Sequence, residues 1–278
     1  MAEALPGPWG RTDFNLLKSV RPPLALPPRL ATSLAGYSWQ RIAIGESRAD
    51  VYRLNQPGQP DLILKTITRD PLFSLAGETA RLRWLRGRAP VPAVIDFAQD
   101  PVRDFLLMQA LPGTDAATAD LPTAMVVDRL ADALRRLHAV PVDDCPFRHS
   151  IDDCVAEAKA RLDAGQVDVT NLDPANLGRD PADLYTEMLA TRPASETAVF
   201  THGDFFLPNV MVAGGQLSGF IDLGRAGIGD PYRDLALIGR SLARNLAADW
   251  TGRFFARYGL AAPDAARLKY FRLLDEFF

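Results

Sequence analysis

The stretch Phe200-Thr-His-Gly-Asp-Phe-Phe-Leu-Pro-Asn209, continued by Val-Met-Val-Ala-Gly-Gly-Gln-Leu-Ser-Gly-Phe-Ile-Asp222, decides how the chain is read. Gly214-Gly215 stands between two alternating runs, the signature of a two-residue β-hairpin turn. Such a turn pairs residue 213 with 216 and, followed outward, 209 with 220. Side chains alternate along a strand, so residue 222 shares a face with 220, and Asn209 and Asp222 are expected as diagonal neighbours roughly 7–8 Å apart. An amide oxygen and a carboxylate then converge at one end of the hairpin.

Hard oxygen ligands of this kind suit Mg2+, which takes one or two carboxylates and leaves its other positions to water and phosphate. Nucleotide phosphates would fill them. Asp204 precedes Asn209 by five residues, the spacing of Asp and Asn in the H-R-D-x-x-x-x-N loop of protein kinases, with His-Gly-Asp here in place of His-Arg-Asp. Alone, His-Gly-Asp also reads as a plain loop before a solvated hairpin; the three-part spacing favours catalysis. Asp204 is the candidate base, and His202 is expected to brace the loop through hydrogen bonds.

An independent signal lies upstream in Asp61-Leu-Ile-Leu-Lys65-Thr-Ile67. A lysine in an apolar strand must snorkel outward or find a buried partner. In the helical pattern that follows, Leu75, Glu78, Leu82 and Leu85 recur in steps of three, four and three, which puts Glu78 inside the apolar stripe. A Lys65–Glu78 ion pair satisfies both and aims the ammonium at nucleotide phosphates; two unrelated surface charges are the plain alternative. Between the first two strands, Ile44-Gly-Glu-Ser47 lacks a G-x-G-x-x-G phosphate loop. Ser47 and its backbone are candidates for a phosphate, although a simple hairpin turn reads the same way. Met108, Gln109 and Ala110 end the β-rich region and are candidates for backbone contacts to a purine edge; a core strand is the alternative.

The surrounding chain fits an α+β protein. Prolines 6, 8, 22, 23, 27 and 28 mark residues 1–30 as an irregular extension. Strands are expected over 37–44, 49–54, 61–67, 94–97 and 104–110, with a helix over 74–86, giving an antiparallel β lobe over 31–110. From residue 111 to 278 helices dominate, over 122–139, 151–164, 180–191, 231–246 and 263–276, interrupted by β structure over 198–222. With 278 residues the chain can bury a large core, and 31 Lys+Arg against 34 Asp+Glu argue against a general nucleic-acid binder. Without a signal sequence or an apolar run of about 18 residues, the expectation is a soluble, cytoplasmic protein with no membrane partner. Cys145 and Cys154 read as reduced thiols, and the three histidines lack zinc-site spacing.

With these residues in place, the sequence resembles the aminoglycoside 3'-phosphotransferases, within the protein-kinase-like family of small-molecule kinases. The resemblance spans 37–278 and is carried by Lys65, Glu78-Thr-Ala-Arg-Leu82, Leu-Arg-Arg-Leu-His138, the 200–209 stretch, Ser-Gly-Phe-Ile-Asp-Leu-Gly-Arg225, Asp230, Asp234 and the terminal Leu-Leu-Asp-Glu-Phe-Phe278. It implies a bilobal fold, with 31–110 binding the nucleotide and 111–278 carrying catalysis and substrate. It implies ATP and Mg2+ as cofactors, Asp204 acting on the 3'-hydroxyl, Asn209 and Asp222 on the metal, Lys65 on ATP phosphates and Arg225 beside the transfer site. It further implies a cleft for a cationic amino sugar built from Asp173, Asp275, Glu276 and the Phe278 carboxylate and organised by Arg240. Solvated carboxylates and a frayed chain end are the alternative for these last groups.

Asn171, Pro174, Ser241 and Arg244 stand where the resemblance implies acidic or otherwise polar residues. A charge pair at 4 Å is worth about 1 kcal/mol in water and about 4 kcal/mol at an effective dielectric of 20. The expectation is therefore retained phosphotransfer with a narrower or shifted range of aminoglycosides. A kinase of another small alcohol or amino sugar is the runner-up. A silent binding module ranks last, since Lys65, Asp204, Asn209 and Asp222 are all present. A monomer or weak dimer is expected.

Overall fold

A computed structural model describes residues 18–19, 22, 24–42, 49–69, 74–246 and 248–278. The chain divides into two compact units, one running to Gly113 and joined by Ser218–Gly224, the other made of Thr114–Leu217 and Arg225–Phe278.

The first unit contains β1 (Lys18–Ser19), α1 (Pro28–Ser33), β2 (Ser38–Ile42), β3 (Asp50–Asn55), β4 (Leu62–Thr68), α2 (Leu75–Leu85), β5 (Val94–Gln99) and β6 (Arg103–Gln109). Its strands form one antiparallel sheet in the order β1-β2-β3-β4-β6-β5. β4 lies inside that sheet, paired on both edges, and its alternation sorts the residues: Leu62 and Leu64 point one way, Ile63, Lys65 and Ile67 the other. The Leu62 and Leu64 face joins Phe105 and Leu107 of β6 in a core with Trp39, Tyr52 and Leu54.

Leu30 and Leu34 of the α1 region close that core, both essentially without exposure. This corrects the reading of residues 1–30 as irregular to their end. Pro28 opens α1 at its first helical turn, where a missing N–H costs nothing and the fixed φ suits the helix. Burial of the two leucines, roughly 1.5–3 kcal/mol each, adds to this. The prolines therefore mark where the helix begins.

α2 is tied down at its start. Ser74 caps it by accepting from Ala76 N–H, and the fully buried Asp104 of β6 accepts from Ser74 Oγ and Leu75 N–H. Leu75, Glu78, Leu82 and Leu85 are all buried, as the stripe required. Ser218–Gly224 belongs with this unit because Phe220 N–H donates to Pro90 carbonyl at 2.9 Å.

The second unit contains β7 (Thr114–Asp115), α3 (Thr123–His138), α4 (Ile151–Asp163), α5 (Pro181–Ala190), β8 (Val199–Thr201), a 3-10 turn (Leu207–Asn209), β9 (Val210–Ala213), the start of β10 (Gln216–Phe220), β11 (Gly227–Gly229), α6 (Tyr232–Asn245), α7 (Ala248–Tyr258) and α8 (Ala265–Asp275). α6 is buried along most of its length and packs against α7 and α8. α7 was not anticipated, although Trp250, Phe254, Phe255 and Tyr258 trace an apolar helical face; it lies on α3, with Arg253 and Arg257 each forked onto a carboxylate, Asp128 and Asp132. A second core gathers α4, α5, α6 and α8 around Met188, Tyr270 and Phe277. Among the described residues no helix is long and apolar enough to cross a membrane.

Candidate active site

In the first unit, β4 and α2 bring together the expected pair: Lys65 Nζ donates to Glu78 Oε2 at 2.8 Å. It also donates to Asp222 Oδ1 at 2.8 Å, a contact absent from the sequence reading. Burial alone would lower the lysine's pKa, but Asp222 and Glu78 together outweigh it, so the ammonium is locked in its charged form. Glu78 is pushed up by burial and by Asp222, against the pull of Lys65. Asp222 has φ 57, the one non-glycine with positive φ among the described residues. Such a conformation is uncommon outside glycine and favours Asp or Asn when it occurs.

Gly214 and Gly215, at φ 55 and 72, form the hairpin turn as expected, between β9 and β10. The face argument for Asn209 and Asp222 does not hold as stated, because neither lies in a strand. Asn209 closes the 3-10 turn, and Asp222 follows β10 in the left-handed region. Alternation stops where the extended backbone stops.

Met108 is buried in β6 opposite Ile63. Ala110 N–H donates to Asp61 carbonyl at 2.9 Å. That donor is spent at the end of the β4–β6 ladder, so of the Ala110 backbone groups expected at a purine edge the N–H is engaged within the sheet. Ser47 lies outside the described residues.

In the second unit, β8 delivers His202-Gly203-Asp204. His202 does anchor the loop, but through its backbone: the N–H groups of His202 and Gly203 donate to the two carboxylate oxygens of Asp234 at 2.7 and 2.8 Å. Asp234 is fully buried at the start of α6 and meets His138 Nε2 at 3.0 Å, while His138 Nδ1 meets Tyr258 hydroxyl at 2.8 Å. Burial would raise the Asp234 carboxyl, yet His138 and the backbone donors hold it below its ordinary range. The buried His202 ring stands edge-on to Phe205.

Gly203 has φ +80, and a Cβ there would sit 2.3 Å from Arg225 carbonyl oxygen. Backbone cannot yield as a side-chain tip can. Gly203→Ala is therefore expected to cost more than the about 1–2 kcal/mol of a left-handed alanine, lowering the melting temperature by several degrees and activity with it. An unchanged melt and rate would contradict the close approach.

Beyond Gly203, Asn209 Nδ2 donates to Asp204 carbonyl at 2.8 Å and to Asp204 Oδ2 at 2.9 Å. This holds the Asp204 carboxylate in one orientation and leaves Asn209 Oδ1 as the amide atom that could meet a cation. Arg225 stacks its guanidinium over the Phe278 ring, 3.8 Å from the centroid. Its buried Nε and Nη2 have no acceptor among the described residues. Burial and Arg233 pull its pKa down to about 10, opposed by Glu157, Asp275 and Asp204, so it remains a cation at neutral pH.

The expected acidic groups are gathered, though already engaged. Glu276 is buried and accepts from Asp173 N–H at 2.9 Å and Asn176 Nδ2 at 2.8 Å, with burial pushing its carboxyl up. It thus anchors the loop that carries Asp173. Asp275 pairs with Arg240 at 2.5 Å, and Arg240 faces the Phe206 ring. Arg272 of α8 adds a further cation, its pKa lowered by burial and by Arg240 against the opposing pull of Asp173. Sequence reasoning missed Asn176, which reaches Glu276, Arg161 and Arg233, which face the Phe278 ring, and His149, which reaches Arg225 and Arg233, because these contacts join segments far apart in the chain.

Residues 38–271 match the model of the phosphotransferase enzyme family. An aminoglycoside 3'-phosphotransferase of Escherichia coli is 37% identical over 258 residues, covering 91% of this chain and 95% of the relative. One of Streptomyces fradiae is 37% identical, covering 87% and 96%. Among solved structures, an aminoglycoside-3'-phosphotransferase of type VIII superposes with a TM-score of 0.81 at 34% identity, covering 90% of this chain and 97% of that one. An aminoglycoside phosphotransferase of Streptomyces rimosus, solved with ADP and streptomycin, gives 0.76 at 27% identity, covering 89% and 95%.

Proposed function

The chain belongs to the phosphotransferase enzyme family, and from that premise we propose that it transfers the γ-phosphate of ATP to the 3'-hydroxyl of an aminoglycoside, conferring resistance. The observation that carries the chemistry is the Asp204 carboxylate, fixed by Asn209 on a loop braced by Asp234. A hydroxyl acceptor needs a carboxylate held in this way to orient it and take its proton.

In this reading residues 31–110 and Asp222 serve the nucleotide. Lys65, held charged between Glu78 and Asp222, donates to the phosphates. Residues of 111–278 serve the acceptor. Its 3'-oxygen attacks the γ-phosphorus, the bond from that phosphorus to the β–γ bridging oxygen breaks, ADP leaves, and the hydroxyl proton passes to Asp204. Arg225, with N–H groups unspent, donates to the phosphoryl oxygens as charge spreads over them. Asn209 Oδ1 and the Asp222 carboxylate are oxygens of the class Mg2+ takes and would hold it; the ion neutralises phosphate charge when bound. Asp173, Asp275, Glu276 and Phe278, organised by Arg240, would receive the amino sugar, Glu276 by shaping the loop. ATP as donor fits a cytoplasmic enzyme, working as a monomer or weak dimer.

Phosphorylation of kanamycin by the purified protein with Mg-ATP, and none of its 3'-deoxy analogue, is the expected result. Equal turnover of both would overturn the regiochemistry. The Arg240–Asp275 pair and the nearby Arg272 favour one second reading, a less cationic amino sugar or small alcohol as the better acceptor. A higher kcat/KM for simple amino alcohols than for kanamycin would promote it.

A further inference from the structure

We propose that His149 is a positioning residue for the transfer reaction: its Nδ1–H holds the Arg225 carbonyl, and through that one oxygen sets both the Asp204 loop and the Arg225 guanidinium. The proposal rests on the phosphotransfer reading above.

The geometry begins with a platform. Phe147–His149 runs beside β11, with Ile228 N–H donating to Phe147 carbonyl at 2.9 Å and His149 N–H to Ile228 carbonyl at 2.8 Å. β11 pairs in turn with β8, Gly227 opposite Thr201 and Gly229 opposite Val199. The approach is close: a Cβ on Gly229 would lie 2.7 Å from His149 carbonyl oxygen, and one on Gly227 3.0 Å from Phe147 carbonyl oxygen. His149 is therefore fixed at the backbone to the same ribbon that delivers Asp204.

From that platform His149 Nδ1 reaches Arg225 carbonyl oxygen at 2.6 Å. The carbonyl can only accept, so the proposal places the ring proton on Nδ1. Nε2 lies 3.7 Å from Glu157, beyond hydrogen-bond length, and Glu157 is already paired with Arg161. Arg233 Nη1, which can only donate, meets the same Nδ1 and competes for it with the carbonyl; with the proton on Nδ1, this side chain keeps Cys154 Sγ, at 3.1 Å, as its acceptor. Burial and the nearby Arg233 lower the His149 pKa to about 4, so the ring is neutral at working pH and carries a single N–H. In the proposal that N–H goes to the Arg225 carbonyl.

The carbonyl it holds is the atom against which Gly203 is packed, one residue before Asp204. The same residue carries the guanidinium stacked on Phe278, which interacts electrostatically with Asp204. Without the Nδ1–H donor, the peptide after Arg225 loses a restraint, and base and guanidinium lose their common reference. Misplacement on the scale of an ångström is enough to cost about 10²-fold in rate.

The test separates the position of the N–H from polarity or bulk. An Asn amide places its N–H where Nδ1–H stands, and a Gln amide places it where Nε2 stands. We expect His149→Asn to keep kcat for kanamycin within about threefold of the parent, and His149→Gln and His149→Ala to lose about 10–100-fold, with KM for ATP unchanged in all three. His149→Asn and His149→Gln with equal kcat would overturn the proposal, as would His149→Ala at the parent rate or a His149→Asn that fails to fold. If only His149→Ala misfolds, the amide pair decides alone. A parent protein that phosphorylates no aminoglycoside would instead sink the functional reading, which this comparison presupposes.

Discussion

Replacing Asp204 by Asn is expected to lower kcat by about 10²–10⁴-fold, with little change in KM for ATP or in the melting temperature. The substitution keeps size and shape, and the loop is held by groups that remain: the Asp234 carboxylate on His202 and Gly203 N–H, and Asn209 on the Asp204 backbone carbonyl. What disappears is a negative oxygen able to accept the acceptor's proton. The contact from Asn209 Nδ2 to the carboxylate also turns from charge-assisted to neutral, which loosens the side chain's aim. Steady-state kinetics with kanamycin, beside a thermal melt, reads both effects. A kcat near the parent value would remove Asp204 from the chemistry, and a lost melt would reassign it to folding.

Lys65→Met is expected to destabilise the protein by about 3–5 kcal/mol, the usual cost of breaking a buried ion pair from one side. Methionine keeps most of the stem's volume, so the loss is chiefly electrostatic. Glu78 bears it, because its side chain is 4% exposed, while Asp222 at 40% is screened by water. The deficit should depend on pH in a defined direction. Burial and Asp222 already press the Glu78 carboxyl above its ordinary range, and Lys65 opposes them. With the lysine gone the folded pKa rises further, so above the unfolded value of about 4.3 the folded variant holds a proton that the unfolded chain has released. Stability then falls as pH rises towards that raised folded pKa. Urea melts at pH 5 and pH 8 should show the smaller deficit at pH 5. A deficit independent of pH would mean that Glu78 finds another cation. Activity should fall with stability, as the nucleotide phosphates lose their ammonium.

The fate of the acidic cluster bears on substrate choice. Asp275 is paired with Arg240, Glu276 is spent on the Asp173 loop, and the Arg272 cation is one on which Asp173 acts. Counting carboxylates along the sequence therefore overstates the attraction an amino sugar would meet. Local composition reports charges but not their partners.

Much was legible from pattern alone. Strand alternation put Lys65 on a face, the three-four-three stripe put Glu78 inward, and both rules hold wherever the backbone is regular, which is why the pair forms. The glycine turn set the β9 and β10 hairpin for the same reason. Legibility failed where regularity ended. Asp222 leaves its strand into the left-handed region, so no alternation rule predicts that it turns to Lys65, 157 residues earlier in the chain. α1 hid behind prolines that open it, since only the sheet face waiting for Leu30 and Leu34 makes a helix that short worthwhile.

The sequence by itself determined the chemistry available: a lysine, a glutamate, two aspartates and an asparagine at spacings that periodic backbone carries to useful places. Only the tertiary structure decided which of these groups are already committed. It bound Ala110 N–H to the end of the β4–β6 ladder, closed Asp275 onto Arg240, and made one carbonyl, that of Arg225, the meeting point of His149 and Gly203. The physical reason is that a hydrogen-bond partner is chosen by distance in space. Between segments separated by tens of residues, that distance is set by how whole faces pack, which no local spacing encodes.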